Sequence, residues 1–172
     1  MKFISQKIPD VVRINPSYIE DSRGYFAETF RQDLLEKFIG YKVNFLQENE
    51  SRSSKGVLRG LHYQLPPFAQ SKLVKVIDGR VLDIAVDIRK SSPTFKQHVA
   101  LELSAENKNQ LFIPHGFAHG FVVLSKSATF VYKVDNIYAP EFDRGIAYDD
   151  PNLNINGRLS LDELELSKKD KS

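Results

Sequence analysis

The segment Val57-Leu58-Arg59-Gly60-Leu61-His62-Tyr63-Gln64 places a histidine in a strand-like run, with an arginine three residues before it. Histidine is the side chain best suited to moving protons near neutral pH, so His62 is a candidate acid or base. Taken alone, it is read at least as well as a hydrogen-bonded core residue. A second constellation, Ile113-Pro114-His115-Gly116-Phe117-Ala118-His119-Gly120-Phe121, holds two histidines four apart. On a helix that spacing could chelate zinc, but the proline and two glycines favour a strand, a turn and a strand. His98 completes the four histidines, and no His-x-His pair opens a cupin-type metal motif, so no metal is expected.

Lys72 follows Ser71 at the start of an apolar strand, in the alternation of Val74 and Val76. If that face is interior, its ammonium needs an anionic partner or substrate, because an unpaired buried charge is expensive. At a solvated strand end it needs neither. Tyr132 is open in the same way, since most inward tyrosines are core residues with a satisfied hydroxyl. Asp21-Ser22-Arg23-Gly24-Tyr25-Phe26-Ala27-Glu28 combines a turn signal with a guanidinium and a carboxylate around aromatics, and Gln47 and Asn49 project amides to one face of a strand. Arginine suits bidentate phosphate contacts, and amides can read the edge of a base.

The elements that must position these groups are mostly short strands. Residues 72–89 carry two β-branched runs around Asp78-Gly79, which predicts a β-hairpin. On its second arm Leu82, Ile84, Val86 and Ile88 alternate with Asp83, Ala85 and Asp87, the pattern of a half-buried strand. Val99, Leu101 and Leu103 share a face, as do Phe130, Tyr132 and Val134, and Leu111-Phe112-Ile113 stops at Pro114. One helix is predicted, Gln32 to Ile39, short and peripheral, with Gly40 as its left-handed cap. Ser160 and Glu163 suggest a capping box, so 160–172 is a helix end or a docked tail. Many strands without a βαβ rhythm favour an antiparallel sandwich or barrel of the jelly-roll class.

Composition narrows the function classes. The 172 residues are 41% hydrophobic and 11% aromatic, enough for one substantial core in a single domain, 1–172. A net charge of +2, with clustering only at Lys168, Lys169 and Lys171, does not suggest nucleic-acid binding. Without cysteine there is no disulfide, thiolate nucleophile or cysteine-based metal site. No segment has the apolar length of a signal peptide or a membrane span, and a soluble cytoplasmic protein is expected.

Together these segments resemble the dTDP-4-dehydrorhamnose 3,5-epimerase (RmlC) family. The likeness covers nearly the whole chain: Asp21-Ser22-Arg23-Gly24 with Phe26 and Glu28, Gln47-Glu48-Asn49, Leu58-Arg59-Gly60-Leu61-His62, Lys72-Leu73-Val74, Asp83-Ile84-Ala85-Val86-Asp87-Ile88-Arg89, residues 113–121 and Tyr132-Lys133. In that order and spacing the combination is highly specific. Leu153-Asn154-Ile155-Asn156-Gly157 departs from it, because the family commonly carries Trp-Pro there. The resemblance implies an all-β, cupin-like double-stranded β-helix with few short peripheral helices, a homodimer exchanging N-terminal strands, a nucleotide-sugar substrate and no cofactor. It implies that His62 removes protons, that Tyr132 returns them from the opposite side, and that Asp170 orients the histidine. Arg23, Phe26, Glu28, Gln47, Glu48, Asn49, Arg59, Lys72, His119, Asp143 and Lys169 match substrate-contacting positions, and Tyr138 matches an aromatic that stacks on the base.

In a 4-keto sugar both C3 and C5 adjoin the carbonyl, so deprotonation at either gives an enolate and reprotonation from the other face inverts the centre. A cation near O4, a role assigned to Lys72, would stabilise the developing charge. The alternatives are an epimerase acting at C3 or C5 alone, or on another sugar nucleotide such as a GDP-linked one. More distant are a non-catalytic carbohydrate-binding jelly roll and a metal-dependent oxygenase. Deoxyhexose synthesis for surface polysaccharide is the pathway the resemblance implies.

Overall fold

A computed structural model describes residues 1–156 and 158–170, with all their side chains except that of Leu161. Gly157, in the segment that departs from the family, and Lys171 and Ser172, at the end of the expected tail, lie outside the described residues. The strands are β1 Lys2–Ser5, β2 Val12–Asn15, β3 Ser17–Asp21, β4 Gly24–Glu28, β5 Gln47–Ser54, β6 Val57–Gln64, β7 Lys72–Asp78, β8 Arg80–Asp87, β9 His98–Ser104, β10 Gln110–Ile113, β11 Phe117–Val123, β12 Ser127–Val134, β13 Asp143–Gly145 and β14 Glu165–Leu166. The helix α1 is Gln32–Ile39, with short 3-10 turns at Pro140–Phe142 and Leu161–Glu163.

Two sheets face one another, in the orders β1-β2-β10-β7-β12-β5 and β13-β6-β11-β8-β9, with β14 added in parallel to β6. From β5 to β12 the pairing is nested: β5 with β12, β6 with β11, β7 with β10, β8 with β9. This is the winding of a jelly roll, the architecture expected. Between the sheets Val74, Val76, Ala85, Leu111, Phe117, Phe121 and Phe130 form the principal core, Phe121 and Phe130 stacking at 4.1 Å. A fully buried phenylalanine contributes about 2 to 3 kcal/mol by leaving water.

The helix occupies the predicted residues, and Gly40 at φ 84° donates its N–H to the Glu36 carbonyl. Its Leu35 packs with Val12, Ile14, Leu73 and Phe112 on the outer face of the first sheet. Residues 78–79 are not a hairpin turn. Gly79, at φ 76°, carries the chain from one sheet to the other, so β7 pairs with β10 and β12, and β8 with β9 and β11. Nor is β8 half-buried: residues 81–87 are all buried. Leu82, Ile84 and Val86 lie under Tyr148 and Leu153, while Asp83, Ala85 and Asp87 point into the sandwich.

The capping signal at Ser160 resolves as a single turn, in which the Glu163 carboxylate accepts from the Ser160 N–H and hydroxyl. The chain then docks as β14 beside β6. The β3–β4 hairpin pairs only with itself and presents Ile19 and Phe26, 71% and 70% exposed, as a cross-strand apolar couple. Lys108 contacts it near its turn, donating to the Tyr25 hydroxyl at 3.0 Å over the Tyr25 ring.

Candidate active site

The strand β6 carries both Arg59 and His62, which a regular strand would turn to opposite faces. A bulge reconciles them. Against β11 the register pairs His62 with His119 and Arg59 with Phe121, so three steps on one strand match two on the other. Gly60 makes this local geometry at φ 121°, and a Cβ on it would stand 2.6 Å from both the Gly120 Cα and the His119 carbonyl oxygen. Reciprocally, a Cβ on Gly120 would stand 2.6 Å from the Arg59 carbonyl oxygen. The two glycines let the backbones approach, and both Arg59 and His62 then line one cavity.

His62 Nε2 lies 2.6 Å from Asp170 Oδ1, and the Asp170 side chain is 4% exposed. The other carboxylate oxygen accepts from the Ser167 hydroxyl at 2.7 Å. An ionised carboxylate can only accept, so Nε2 carries the proton and Nδ1 is left as the basic nitrogen. Burial pushes the imidazole below its ordinary value, opposed chiefly by the charge of Asp170. The ring is therefore neutral at neutral pH and available as a base.

Tyr132 sits on β12 opposite Asn49 of β5 and Val74 of β7. Burial raises its hydroxyl, while a hydrogen bond with Asn49 and the charge of Arg59 oppose that, so it remains a proton donor. Lys72 points to the interior face of β7, as its alternation with Val74 requires, and burial pushes its ammonium down to about 8. His119 and the wholly buried Asp83 are diagonal neighbours on β11 and β8, with Nε2 to Oδ2 at 2.9 Å.

His62, Asp170, Tyr132, Lys72 and His119 line a cavity of about 520 Å³, walled by Phe121 and Phe130 and bordered on one side by Glu165, Leu166, Ser167, Lys169 and Asp170. A second hollow of about 430 Å³ holds Gln47, Asn49, Tyr138 and Asp143 and shares Arg59, His62, Lys72 and Tyr132 with the first. Gln47 donates to Asn49 at 2.7 Å, and the Asp143 carboxylate accepts from both Tyr138 and Lys169. The result is one continuous groove with acid and base in its middle and amides, an aromatic and cations toward its ends.

Not every expected residue arrives there. Arg23, Phe26 and Glu28 stand on the exposed β3–β4 hairpin, Arg23 paired with Asp21. Glu48 is on the opposite face of β5 from Gln47 and Asn49, paired with Lys133 at 2.5 Å. His115 is a turn residue held by Asp135 at 2.9 Å. Among the described residues no three His, Asp or Glu side chains gather as a metal-binding group. Sequence reasoning missed Asp83 and the paired glycines. The signal for Asp83 was present, because an inward Lys72 requires an anion and Asp83 alternates with inward Ala85.

The family described as dTDP-4-dehydrorhamnose 3,5-epimerase matches residues 5–172. The chain is similar to the dTDP-4-dehydrorhamnose 3,5-epimerase of Shigella flexneri, 56% identical over 155 residues, 90% of this chain and 86% of that one. The enzyme of that name from Pseudomonas aeruginosa is 51% identical over 171 residues, 99% of this chain and 93% of its own. Among solved structures, the dTDP-6-deoxy-D-glucose-3,5-epimerase of Legionella pneumophila in complex with dTDP-4-keto-L-rhamnose is similar at a TM-score of 0.94 and 48% identity, covering 99% of this chain and 89% of that one.

Proposed function

The chain belongs to the dTDP-4-dehydrorhamnose 3,5-epimerase family, and from that premise we propose how it inverts C3 and C5 of dTDP-4-dehydro-6-deoxy-D-glucose. The observation that carries the reading is that a neutral His62 and a protonated Tyr132 line one cavity with the Lys72 ammonium. His62 Nδ1 takes the proton from the carbon beside the ketone, and the electron pair moves onto O4. The Lys72 ammonium stabilises that enolate, a contribution of about 3 to 4 kcal/mol for a preorganised donor. Tyr132 then delivers its proton to the opposite face, and solvent restores both side chains. Arg59 supports diphosphate binding, while Gln47, Asn49 and Tyr138 suit a nucleobase in the second hollow.

The acting unit is a homodimer in which the β3–β4 hairpin of one copy reaches the groove of the other. Support comes from the exposed Ile19 and Phe26, which need an apolar neighbour, and from Arg23 and Glu28, which line neither hollow of the groove in their own chain.

Proton NMR of dTDP-4-keto-6-deoxy-D-glucose in deuterated water, with His62→Ala as control, tests the reaction. Washout at C3 and C5 that disappears in the variant is expected. Exchange at one carbon would mean a single-centre epimerase, and no exchange would overturn the reading.

A further inference from the structure

Asp83 has no part in the chemistry above, yet it is a carboxylate buried inside the sandwich, 0% exposed. Its Oδ2 meets His119 Nε2 at 2.9 Å, and its Oδ1 has no hydrogen-bond partner. A buried carboxylate with an idle oxygen is expensive unless a nearby charge compensates it. A cation on which its charge acts is Lys72, on the interior face of β7, which makes no ion pair or hydrogen bond of its own among the described residues.

We propose that Asp83 is a positioning residue of this reaction: hydrogen-bonded to His119 and acting on Lys72 through its charge, its carboxylate keeps the Lys72 ammonium charged toward the cavity and fixes the tautomer of His119. The proposal rests on the epimerase reading of the same site. By accepting at Nε2, Asp83 leaves His119 Nδ1 bare, so that this ring reads a hydroxyl that donates. Its charge is also the main support for protonated Lys72 against burial, Asp143 being the other and Lys169 opposing. His62 and Arg59 of β6, His119 of β11, Tyr132 of β12, Glu50 of β5, Glu165 of β14, Lys169 and Asp170 face the same space, but the anions that act on Lys72 are Asp83 first and Asp143 second. Without Asp83 the ammonium would lose its proton at a lower pH, and the enolate its counter-charge.

Asp83→Asn preserves shape while removing the charge and letting an amide donate to Nε2. The pH profile of the variant should show kcat about 100-fold down, KM changed far less, and the alkaline fall of activity moved to lower pH. A [¹³C]lysine titration should place Lys72 near 8 in the wild type and lower in the variant. A kcat within threefold of wild type and an unmoved alkaline limb would overturn the proposal.

Should the variant fail to fold, imidazole ¹⁵N spectra of the wild-type protein decide instead: His119 protonated at Nε2 and bare at Nδ1 is expected. The opposite tautomer, or a doubly protonated ring at pH 8, would overturn it. A wild-type protein that exchanged neither the C3 nor the C5 proton would overturn the epimerase reading separately, leaving the tautomer and the Lys72 titration to judge Asp83.

Discussion

Burial drives both His62 and Tyr132 toward their uncharged forms, which lowers the imidazole and raises the phenol. The base is therefore ready and the acid loaded across the neutral range. Activity should fall on acidification as His62 gains a proton, at a pH below the ordinary imidazole value. Because the Asp170 charge raises His62, Asp170→Asn should shift that acid limb to still lower pH while cutting kcat about 100-fold, as the ring loses its anchor; an unmoved limb in the pH–rate profile would show that Asp170 does not act on the base. Tyr132→Phe separates the two proton transfers. His62 can still remove and return a proton on one face, so NMR in deuterated water should find exchange persisting while inversion drops about 100-fold or more. Side-chain type made His62, Lys72 and Tyr132 candidates before any geometry was known. Asp83 stayed hidden because aspartate in an alternating strand ordinarily faces water, and only a polar interior turns it inward.

Among the elements, β6 is held on one edge by β11 and on the other by β13 and β14, and its bulge aims both functional side chains. Gly60→Ala would force a Cβ to within 2.6 Å of backbone on the neighbouring strand at a φ that side chains rarely adopt. A loss of at least about 2 kcal/mol is expected, a fall of several degrees in the thermal midpoint, together with lower kcat from a displaced His62. Helix α1 was legible to the residue because apolar spacing and a terminal glycine report the same boundary. The Asp78-Gly79 turn was legible as a turn but not as a crossing, since period-2 patterns on either side do not say which strands pair. The tail's capping signal was local and correct, yet its partner, β6, lies about a hundred residues away in sequence, beyond any local pattern.

For the whole molecule, the exposed β3–β4 hairpin is the element that joins neither of the two large sheets. If it serves a second copy, sedimentation should find dimers, and Phe26→Asp should yield monomers with little activity. Co-expressed Arg23→Ala and His62→Ala chains should recover part of the activity that each lacks alone, because a hybrid places one unaltered hairpin over one unaltered groove; no recovery would put both residues in the same chain's site. The nested strand pairing reaches further still. Each pair from β8–β9 out to β5–β12 closes a longer stretch of chain than the one inside it, and the base meets its carboxylate across 108 residues. Contacts so remote in sequence are entropically late, which places folding in the range of about milliseconds to seconds. A refolding chain should regain its sheet signal first and its turnover only when the last segment finds β6.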